Sequence, residues 1–374
     1  MSDSNKGSNE DLKKTDEDKE GRLKYSDDNI KNLLGRFGAV YLPSEIRDTE
    51  DDIIGNEIQK ELLEDFFRGL KKYEKIKDRL KSAKLMPNLT ILLYGPPGTG
   101  KTTLARAFSK KYEAPICIVE SNRLISPLLG DTIKSITRVV ELAADVASER
   151  GSFVLFFDEL DAVGSERSNI HEVGEIKRAV ISFLQVIDRI NYEGYPLAII
   201  GATNHQHLLD SAIWRRFTFH LSFSFPDYHQ RKLIIESFLN KVKKAKIGVD
   251  KSINQRLNEE YTRIKLVADD LELKLGHKLA EFNEDLFWKE IERNEKIDGL
   301  LNMTHGYSGS DIQRGTEVAL FKAIDSELLT YDVFYRSLKL VGGTAIHVER
   351  QETLSSSKQL SNRSDKNFSS PPEI

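Results

Sequence analysis

The sequence GPPGTGKT at positions 95–102 decides the fold of this chain. It follows an apolar run at 89–94 and precedes a helical pattern at 103–112. A G-x-x-x-x-G-K-T pattern between a strand and a helix is typical of a phosphate-binding loop, because its glycines let backbone N–H groups point at phosphate oxygens. In such a loop the Lys101 side chain bridges the β- and γ-phosphates of a nucleotide, and the Thr102 hydroxyl binds Mg²⁺. We therefore expect a nucleotide-phosphate site here.

Apolar runs alternate with helical patterns on both sides of this loop. Besides 89–94, such runs occupy 115–119, 153–157, 197–202 and 218–223. Between them, residues such as Ile133, Ile136 and Val140 recur at near-helical spacing. Strands that alternate with helices form a parallel sheet with helices on both faces. The pattern predicts an α/β fold.

Composition divides the rest of the chain. The strand signal stops near residue 226, and an almost wholly helical pattern follows, with charge-rich amphipathic spacing over 240–298. Residues 1–24 hold 13 charged residues, and residues 351–374 hold seven serines. Such segments bury too little apolar surface to offset the entropy of ordering. We expect a tail at 1–24, an α/β domain at 25–226, a helical domain at 227–348 and a second tail at 349–374. Because only the charged tail precedes Tyr25, we expect no folded N-terminal recognition domain.

Overall composition excludes several classes of protein. The chain has 374 residues, 39% hydrophobic and 30% charged, which is typical of a soluble globular protein. Its net charge of −4 gives no general attraction to nucleic acid, and we find no patch that combines basic and aromatic residues. No stretch reaches the ~20 apolar residues that cross a bilayer, and the acidic, polar start lacks a secretory signal. We expect a cytoplasmic protein without membrane or nucleic-acid partners. Because Cys117 is the single cysteine, an intrachain disulfide is excluded. We expect Cys117 to be a buried residue of a strand.

Carboxylates follow the apolar run at 153–157. The sequence DELD at 158–161 is delivered to the carboxyl edge of the sheet, where open α/β sheets bind ligands. Asp158 is placed to hold the Mg²⁺ shell through water, and Glu159 to polarise an attacking water as a general base. Either carboxylate alone could cap a helix, and for Asp161 capping and function remain equally open.

Taken together, these motifs resemble those of the AAA ATPases, the AAA group proper of the AAA+ superfamily, over roughly residues 51–325. Positions 95–103 are similar to the family's GPPGTGKTT, 156–163 to its hydrophobic-DELDAV segment and 51–55 to its D-D-I-x-G segment. The resemblance implies a P-loop NTPase sheet sandwiched by helices, followed by a small all-helical lid domain. It also implies ATP as ligand with Mg²⁺, held by Asp52, Ile54, Gly55, Pro97, Gly98, Thr99, Gly100, Lys101, Thr102 and Thr103.

Three downstream motifs extend the resemblance. The sequence IIGATN at 199–204 is similar to the sensor strand of the family, which implies that Asn204 contacts the γ-phosphate or its water. Residues 209–217 resemble the second region of homology, with the adjacent arginine pair of the microtubule-severing branch. This implies that Arg215 and Arg216 are arginine fingers that reach a neighbouring subunit's ATP, and so that the active form is a ring, by resemblance a hexamer. Residues 304–312 resemble T-x-G-Y-S-G-A-D, which implies that Gly309 approaches the purine.

The chain departs from the family in three places. Where remodelling rings carry an aromatic residue that grips polypeptide, this chain has Leu128, and a second candidate pore loop at 164–172 is degenerate. Phe238 stands where the family often has a histidine. The segment 241–298 is longer than the usual link, which indicates an insertion that either docks a partner or forms a solvated helical hairpin.

The sequence therefore predicts a ring-forming ATPase that couples Mg²⁺-dependent ATP hydrolysis to remodelling or unfolding of a protein client. The alternative is a nucleotide-controlled scaffold that regulates a separately encoded protease or nuclease without threading. The complete set of catalytic motifs favours the first interpretation, and the leucine at position 128 favours the second.

Overall fold

Six strands form one sheet, in the computed structural model that describes residues 25–124, 131–161, 170–276, 287–291 and 298–344. The strands are β1 (Gly38–Tyr41), β2 (Thr90–Tyr94), β3 (Ile116–Val119), β4 (Phe153–Phe157), β5 (Leu197–Thr203) and β6 (Phe219–Ser222). Their order across the sheet is β1-β3-β4-β5-β2-β6. Strands β2 to β6 pair in parallel, which confirms the five strands and the α/β class expected from the sequence.

Helices cover both faces of this sheet. They are α1 (Asp27–Leu34), α2 (Glu57–Ser82), α3 (Lys101–Lys111), α4 (Ser121–Leu124), α5 (Asp131–Arg150), α6 (Ile170–Glu193) and α7 (Ser211–Arg216). The buried strand β4 shows why two layers are needed, because Phe153 and Leu155 enter one core cluster while Val154 and Phe156 enter the other. The first cluster includes residues of α1, α5, α6 and α7, and the second includes residues of α2 and α3.

The sequence did not predict β1. This strand pairs antiparallel with β3, with Gly38 opposite Val119 and Tyr41 opposite Ile116. The preceding residue Tyr25 is buried; its backbone N–H donates to Glu149 Oε1 at 2.9 Å, and its carbonyl accepts from Arg150 Nη2 at 2.8 Å. The start of the described chain is therefore tied to α5, and β1 completes one edge of the sheet.

The second half of the fold is mainly helical, and we call residues 227–344 the lid. It contains α8 (Tyr228–Lys244), α9 (Lys251–Leu275), α10 (Leu300–Met303), α11 (Gly309–Ala323) and α12 (Tyr331–Val341), and residues 287–291 are also helical. The lid differs from the all-helical expectation in one detail, because β7 (Gly248–Val249) pairs in parallel with β8 (Leu328–Leu329). These two-residue strands are too short to show a period-2 pattern in the sequence.

Helix α9 is built into the lid. Ile253, Leu257 and Ile264 are fully buried in the core that Phe287 and Trp288 also enter. This burial argues against a solvated hairpin for the described part of segment 241–298. None of the helices in the described ranges is long and apolar enough to cross a membrane.

Candidate functional site

The phosphate-loop sequence forms a tight turn between β2 and α3. Gly98 and Gly100 have φ angles of 75° and 95°, in the region that favours glycine. A Cβ on Gly100 would lie 2.8 Å from Ile53 Cδ1, and one on Gly98 would collide with the Ser308 hydroxyl. The loop is thus packed between the DDIIG segment on one side and the start of α11 on the other, and only glycine fits at these two positions.

Lys101 fills the inside of this turn. Its Nζ donates to the carbonyl oxygens of Gly95 at 2.7 Å and Pro96 at 2.8 Å. The residue is only 7% exposed, and burial lowers the pKa of its ammonium group to about 8, against the opposing influence of Asp158 and Asp161. Among the residues that the structure describes, the charges that partly offset this burial are those of Asp158 and Asp161. The site can therefore accept further negative charge, which a phosphate group would supply.

The first predicted carboxylate lies beside the loop. Thr102 Oγ1 donates to Asp158 Oδ2 at 3.4 Å, which brings the two predicted Mg²⁺ ligands together. Asp158 Oδ1 accepts from the backbone N–H of Glu159 at 3.1 Å, and Glu159 has a φ of 51°. A non-glycine residue in this region is strained, and such strain is concentrated at functional positions. Ser121 Oγ, which donates to the Asp158 carbonyl at 2.9 Å, holds the turn in place.

Asp161 contacts the end of β5. Thr203 Oγ1 donates to Asp161 Oδ1 at 2.6 Å and accepts from the backbone N–H of His205 at 3.0 Å. Half-buried Asn204 is therefore held from both sides at the same edge of the sheet as Asp158. The sequence left the role of Asp161 open and gave no role to Thr203. In the structure the two residues contact each other directly beside the predicted sensor residue Asn204.

A cavity of about 680 Å³ lies next to the loop, between the α/β half and the lid. Seven of the predicted nucleotide residues line it: Asp52, Ile54, Gly98, Thr99, Gly100, Thr103 and Gly309. Gly55, Pro97, Lys101 and Thr102 do not line it; Lys101 lies inside the turn, Thr102 contacts Asp158, and Gly55 lies against Gln230. The volume is in the range typical of small-molecule sites.

Several residues that line this cavity have no motif in the sequence. Lys241 Nζ lies 2.9 Å from Asp52 Oδ1 and 5.4 Å from the centre of the Phe238 ring, and Arg106 Nε lies 2.7 Å from Asp48 Oδ2. Desolvation raises the pKa of Asp52, but hydrogen bonds from Lys241 and Thr49 outweigh it and hold this pKa below its usual value. The charged pairs could not be predicted, because their members are far apart in the sequence.

The lid contacts the loop directly through the start of α11. Ser310 donates to the Gly98 carbonyl from its backbone N–H at 3.4 Å and from its hydroxyl at 3.3 Å. Fully buried Asp311 anchors this helix start: it accepts from the Ser308 N–H at 2.9 Å, the Thr344 N–H at 2.9 Å and the Thr344 hydroxyl at 2.8 Å. The start of α11 is therefore joined to the phosphate loop by hydrogen bonds from Ser310 to Gly98.

The predicted arginine fingers are not in this site. Arg215 and Arg216 lie at the exposed end of α7, and neither lines the cavity. Arg216 Nε lies 3.0 Å from Asp188 Oδ1, whereas Arg215 forms no ion pair within the described part of the chain. Leu128 and residues 164–169 of the two candidate pore loops lie outside the described residues.

Comparison with known proteins places this geometry in a family. Residues 91–225 match the model of the ATPase family associated with various cellular activities (AAA). A 26S proteasome regulatory subunit homolog of Methanothermobacter thermautotrophicus is 31% identical over 255 residues, 67% of this chain and 65% of that protein. Two other curated relatives are covered over 48% and 56% of their lengths, so the chain spans about half to two thirds of such relatives.

Solved structures share the fold. The FIGL-1 AAA domain in complex with ADP matches with a TM-score of 0.58 and 22% identity, over 90% of this chain and 98% of that one. A katanin structure that concerns self-assembly matches with a TM-score of 0.51 and 21% identity, over 84% and 91% of the two chains. Residues 91–225 therefore form a domain that matches the AAA family of ATPases, and the solved structures share its fold.

Proposed function

We propose that this chain hydrolyses ATP with the help of Mg²⁺ and that residues 25–226 and 227–348 act as a nucleotide-binding domain and its lid. One observation carries the proposal: a buried lysine inside a glycine loop, a hydroxyl–carboxylate pair and a nucleotide-sized cavity adjoin one another. Thr102 Oγ1 and Asp158 Oδ2 lie 3.4 Å apart, and oxygen atoms of this kind are the ligands that Mg²⁺ prefers.

The nucleotide is proposed to lie with its base and ribose in the cavity and its phosphates on the loop. The cavity is bounded by Ile54 and Phe238, whose apolar side chains suit a purine ring, and by the backbone of Gly98 and Gly309. At the phosphate end, Lys101 exchanges its carbonyl partners for phosphate oxygens. This exchange is favourable because a buried ammonium group gains an anionic partner.

The reaction is an in-line attack of water on the γ-phosphate. Thr102, and Asp158 through water, would hold Mg²⁺, which would supply positive charge against the phosphates. Glu159 orients the attacking water and accepts its proton, and Asn204 fixes the γ-phosphate or the water from the end of β5. The strained backbone of Glu159 and the contact between Thr203 and Asp161 support these roles, since both fix side chains at the same edge of the sheet.

Arg215 and Arg216 are proposed to complete the site of a neighbouring subunit in a ring, with six subunits by analogy with the family. Both side chains are exposed and neither lines the chain's own cavity, which supports action across subunits, and the katanin structure concerns self-assembly. A finger of this kind stabilises charge on the transferred phosphoryl group and is worth about 10³–10⁵ in turnover.

The work performed is proposed to be remodelling or unfolding of a protein client, driven by lid movement. The contact from Ser310 to Gly98 supports this coupling, because it joins the lid to the phosphate loop. The alternative, regulation of a separately encoded protease or nuclease, gains support from the relative named as a proteasome regulatory subunit homolog.

The deciding experiment uses Glu159→Gln. This variant should bind ATP with the wild-type dissociation constant but release phosphate at least about 100-fold more slowly, because a general base contributes about 10²–10⁴ in rate. Wild-type hydrolysis by the variant would remove Glu159 from the reaction. The variant should remain bound to ATP and therefore retain its client. Affinity purification of the variant in the presence of ATP then identifies that client.

A further inference from the structure

A stripe of positive charge runs along the solvent face of α2. Its members, Arg68, Lys72, Lys75 and Arg79, are exposed and are spaced four, three and four residues apart, so they share one face of the helix. The opposite face carries residues of the core, such as Leu70. At a rise of about 1.5 Å per residue the stripe is about 16 Å long.

This charge is local and mostly uncompensated. Between positions 68 and 84 the sequence holds eight basic residues and two acidic ones, in a chain whose net charge is −4. Arg68 is paired with Asp65, but within the described ranges no carboxylate lies within 4.0 Å of Lys72, Lys75 or Arg79. A solvated helix face can carry the same charge as a docking surface.

Gly69 distinguishes this face from an ordinary solvated one. It lies inside a 26-residue helix, where glycine is less favourable than alanine, and a Cβ added to it would meet nothing within 4 Å. No contact with the described residues therefore requires a glycine here. Ile76, seven residues further along the same face, is 38% exposed. Gly69, which has no side chain, and the apolar side chain of Ile76 thus lie beside the cations. The backbone of a partner could approach the helix closely at Gly69.

We propose that this face of α2, from Arg68 to Arg79, docks an acidic polypeptide segment of a partner protein. The partner's carboxylates pair with Lys72, Lys75 and Arg79, and an apolar side chain packs on Ile76 while its backbone passes over Gly69.

Three features favour a polypeptide over a nucleic acid. Exposed Asp65 and Asp78 flank the stripe and would repel a continuous phosphate backbone, whereas a peptide can place neutral residues opposite them. Tyr73, the aromatic residue between positions 68 and 79, is buried and offers no ring for base stacking. The uncharged positions of the face, Gly69 and Ile76, suit a partner's backbone at close range and an apolar side chain, respectively.

The proposed surface lies away from the nucleotide. Asn56, directly before α2, lines the cavity, whereas no residue between 68 and 79 does so. Lys72 is about 24 Å further along the helix axis at 1.5 Å per residue. Substitutions on the stripe should therefore leave ATP hydrolysis unchanged.

The test measures binding of a fluorescein-labelled peptide of glutamate and leucine, about 12 residues long so that it covers the stripe as a helix. A peptide with glutamine in place of glutamate is the neutral control. The full chain should bind the acidic peptide, and the triple variant K72Q/K75Q/R79Q should bind it about tenfold more weakly, most clearly at low salt. The matched variant K243Q/K244Q/K265Q removes the same charge from exposed lid positions and should bind like the wild type.

Gly69→Leu separates close docking from diffuse attraction. This substitution keeps every charge and replaces glycine with a better helix former, so the melting temperature should not fall. Binding of the acidic peptide should nevertheless weaken about fivefold, because the leucine side chain occupies the space that the partner's backbone needs.

Three results would overturn the proposal. The first is equal peptide binding by K72Q/K75Q/R79Q and the lid control. The second is tighter binding of duplex DNA or of phosphatidylserine vesicles than of the peptide, lost in the same triple variant, which would assign the face to another class of ligand. The third is a changed oligomer size in the triple variant with unchanged peptide binding, which would make the face a contact between copies of this chain.

Discussion

Lys241 of helix α8 donates to Asp52 at 2.9 Å, although the two residues are 189 positions apart in the sequence. Their ion pair joins the lid to the DDIIG segment at the rim of the cavity. The side chains are 53% and 36% exposed, so water screens the pair and its contribution is only about 0.2–1 kcal/mol. A contribution of this size changes a dissociation constant by up to about fivefold.

Asp52→Asn and Lys241→Gln should each weaken binding of a fluorescent ADP analogue by about two- to fivefold, because each breaks the pair that holds the lid against the cavity. The double variant should bind no more weakly than either single variant. Titrations at low and high salt check the electrostatic origin, since salt should shrink the difference. Lys243→Gln, on the same helix but outside the cavity, is the control. Additive effects of the two substitutions would show that the residues act separately.

Asp311→Asn should destabilise the lid by about 2–4 kcal/mol, because several N–H and O–H donors around a buried carboxylate lose their charged acceptor. Asp311 is fully buried and accepts from Ser308, Arg314 and Thr344. Urea unfolding measures the loss. Asp332→Asn, an exposed acidic residue in the first turn of α12, should change stability by no more than about 0.5 kcal/mol.

The same carboxylate predicts a pH dependence. Burial raises the pKa of Asp311, but the hydrogen bonds from Ser308 and Thr344 outweigh it and hold this pKa below its usual value. The stability that the group contributes is therefore present above the unfolded pKa of about 3.9 and is lost as the pH falls through the lower folded value. The Asn variant should lose less stability between neutral pH and pH 3 than the wild type. Parallel curves for the two proteins would contradict this.

Local patterns explain which elements the sequence could predict. Strand β4 is five consecutive buried apolar residues, and the turn of the glycine loop depends on its own glycines. Both features are therefore visible in a short stretch of sequence. Strand β1 has four residues that are mostly half-buried, and this edge position gives neither a continuous apolar run nor a clean alternation.

Contacts between distant residues explain what the sequence could not show. The pairs Asp52–Lys241 and Asp161–Thr203 each join two segments whose approach depends on the completed fold. The capping box of Ser308 and Asp311 spans only three positions, whereas the contact of Asp311 with Thr344 joins residues 33 positions apart.

Arg216→Ala should lower ATP turnover by about 10³ if the side chain reaches a neighbouring site. Mixing tests this directly. The Lys101→Met protein keeps both arginines but lacks the lysine of the phosphate loop. The Arg216→Ala protein keeps Lys101 but lacks the proposed finger. Mixed assemblies should regain part of the activity that neither variant shows alone, because an intact site then faces an intact finger. No recovery on mixing, despite co-assembly, would place Arg216 in its own subunit's chemistry.

Asp188→Asn is the control for the mixing experiment. It releases Arg216 from its 3.0 Å ion pair without removing the guanidinium group. Both partners are about half exposed, so the pair is weak, and turnover should change by less than about threefold.

Phe238→Ala should weaken binding of ATP and GTP analogues by the same factor, about tenfold. The ring lines the cavity and offers only an apolar face, and such a surface cannot distinguish the exocyclic groups of two purines. Fluorescence titrations with both nucleotides measure the two factors, and Phe321→Ala, which removes a 77% exposed ring from α11, should change neither. Phe238→His should instead make the two factors unequal, because a histidine ring adds a donor or acceptor that meets the edge of one purine but not of the other. A loss confined to ATP in Phe238→Ala would mean that the phenylalanine ring already reads the base, and base selectivity would then arise from shape rather than from hydrogen bonds.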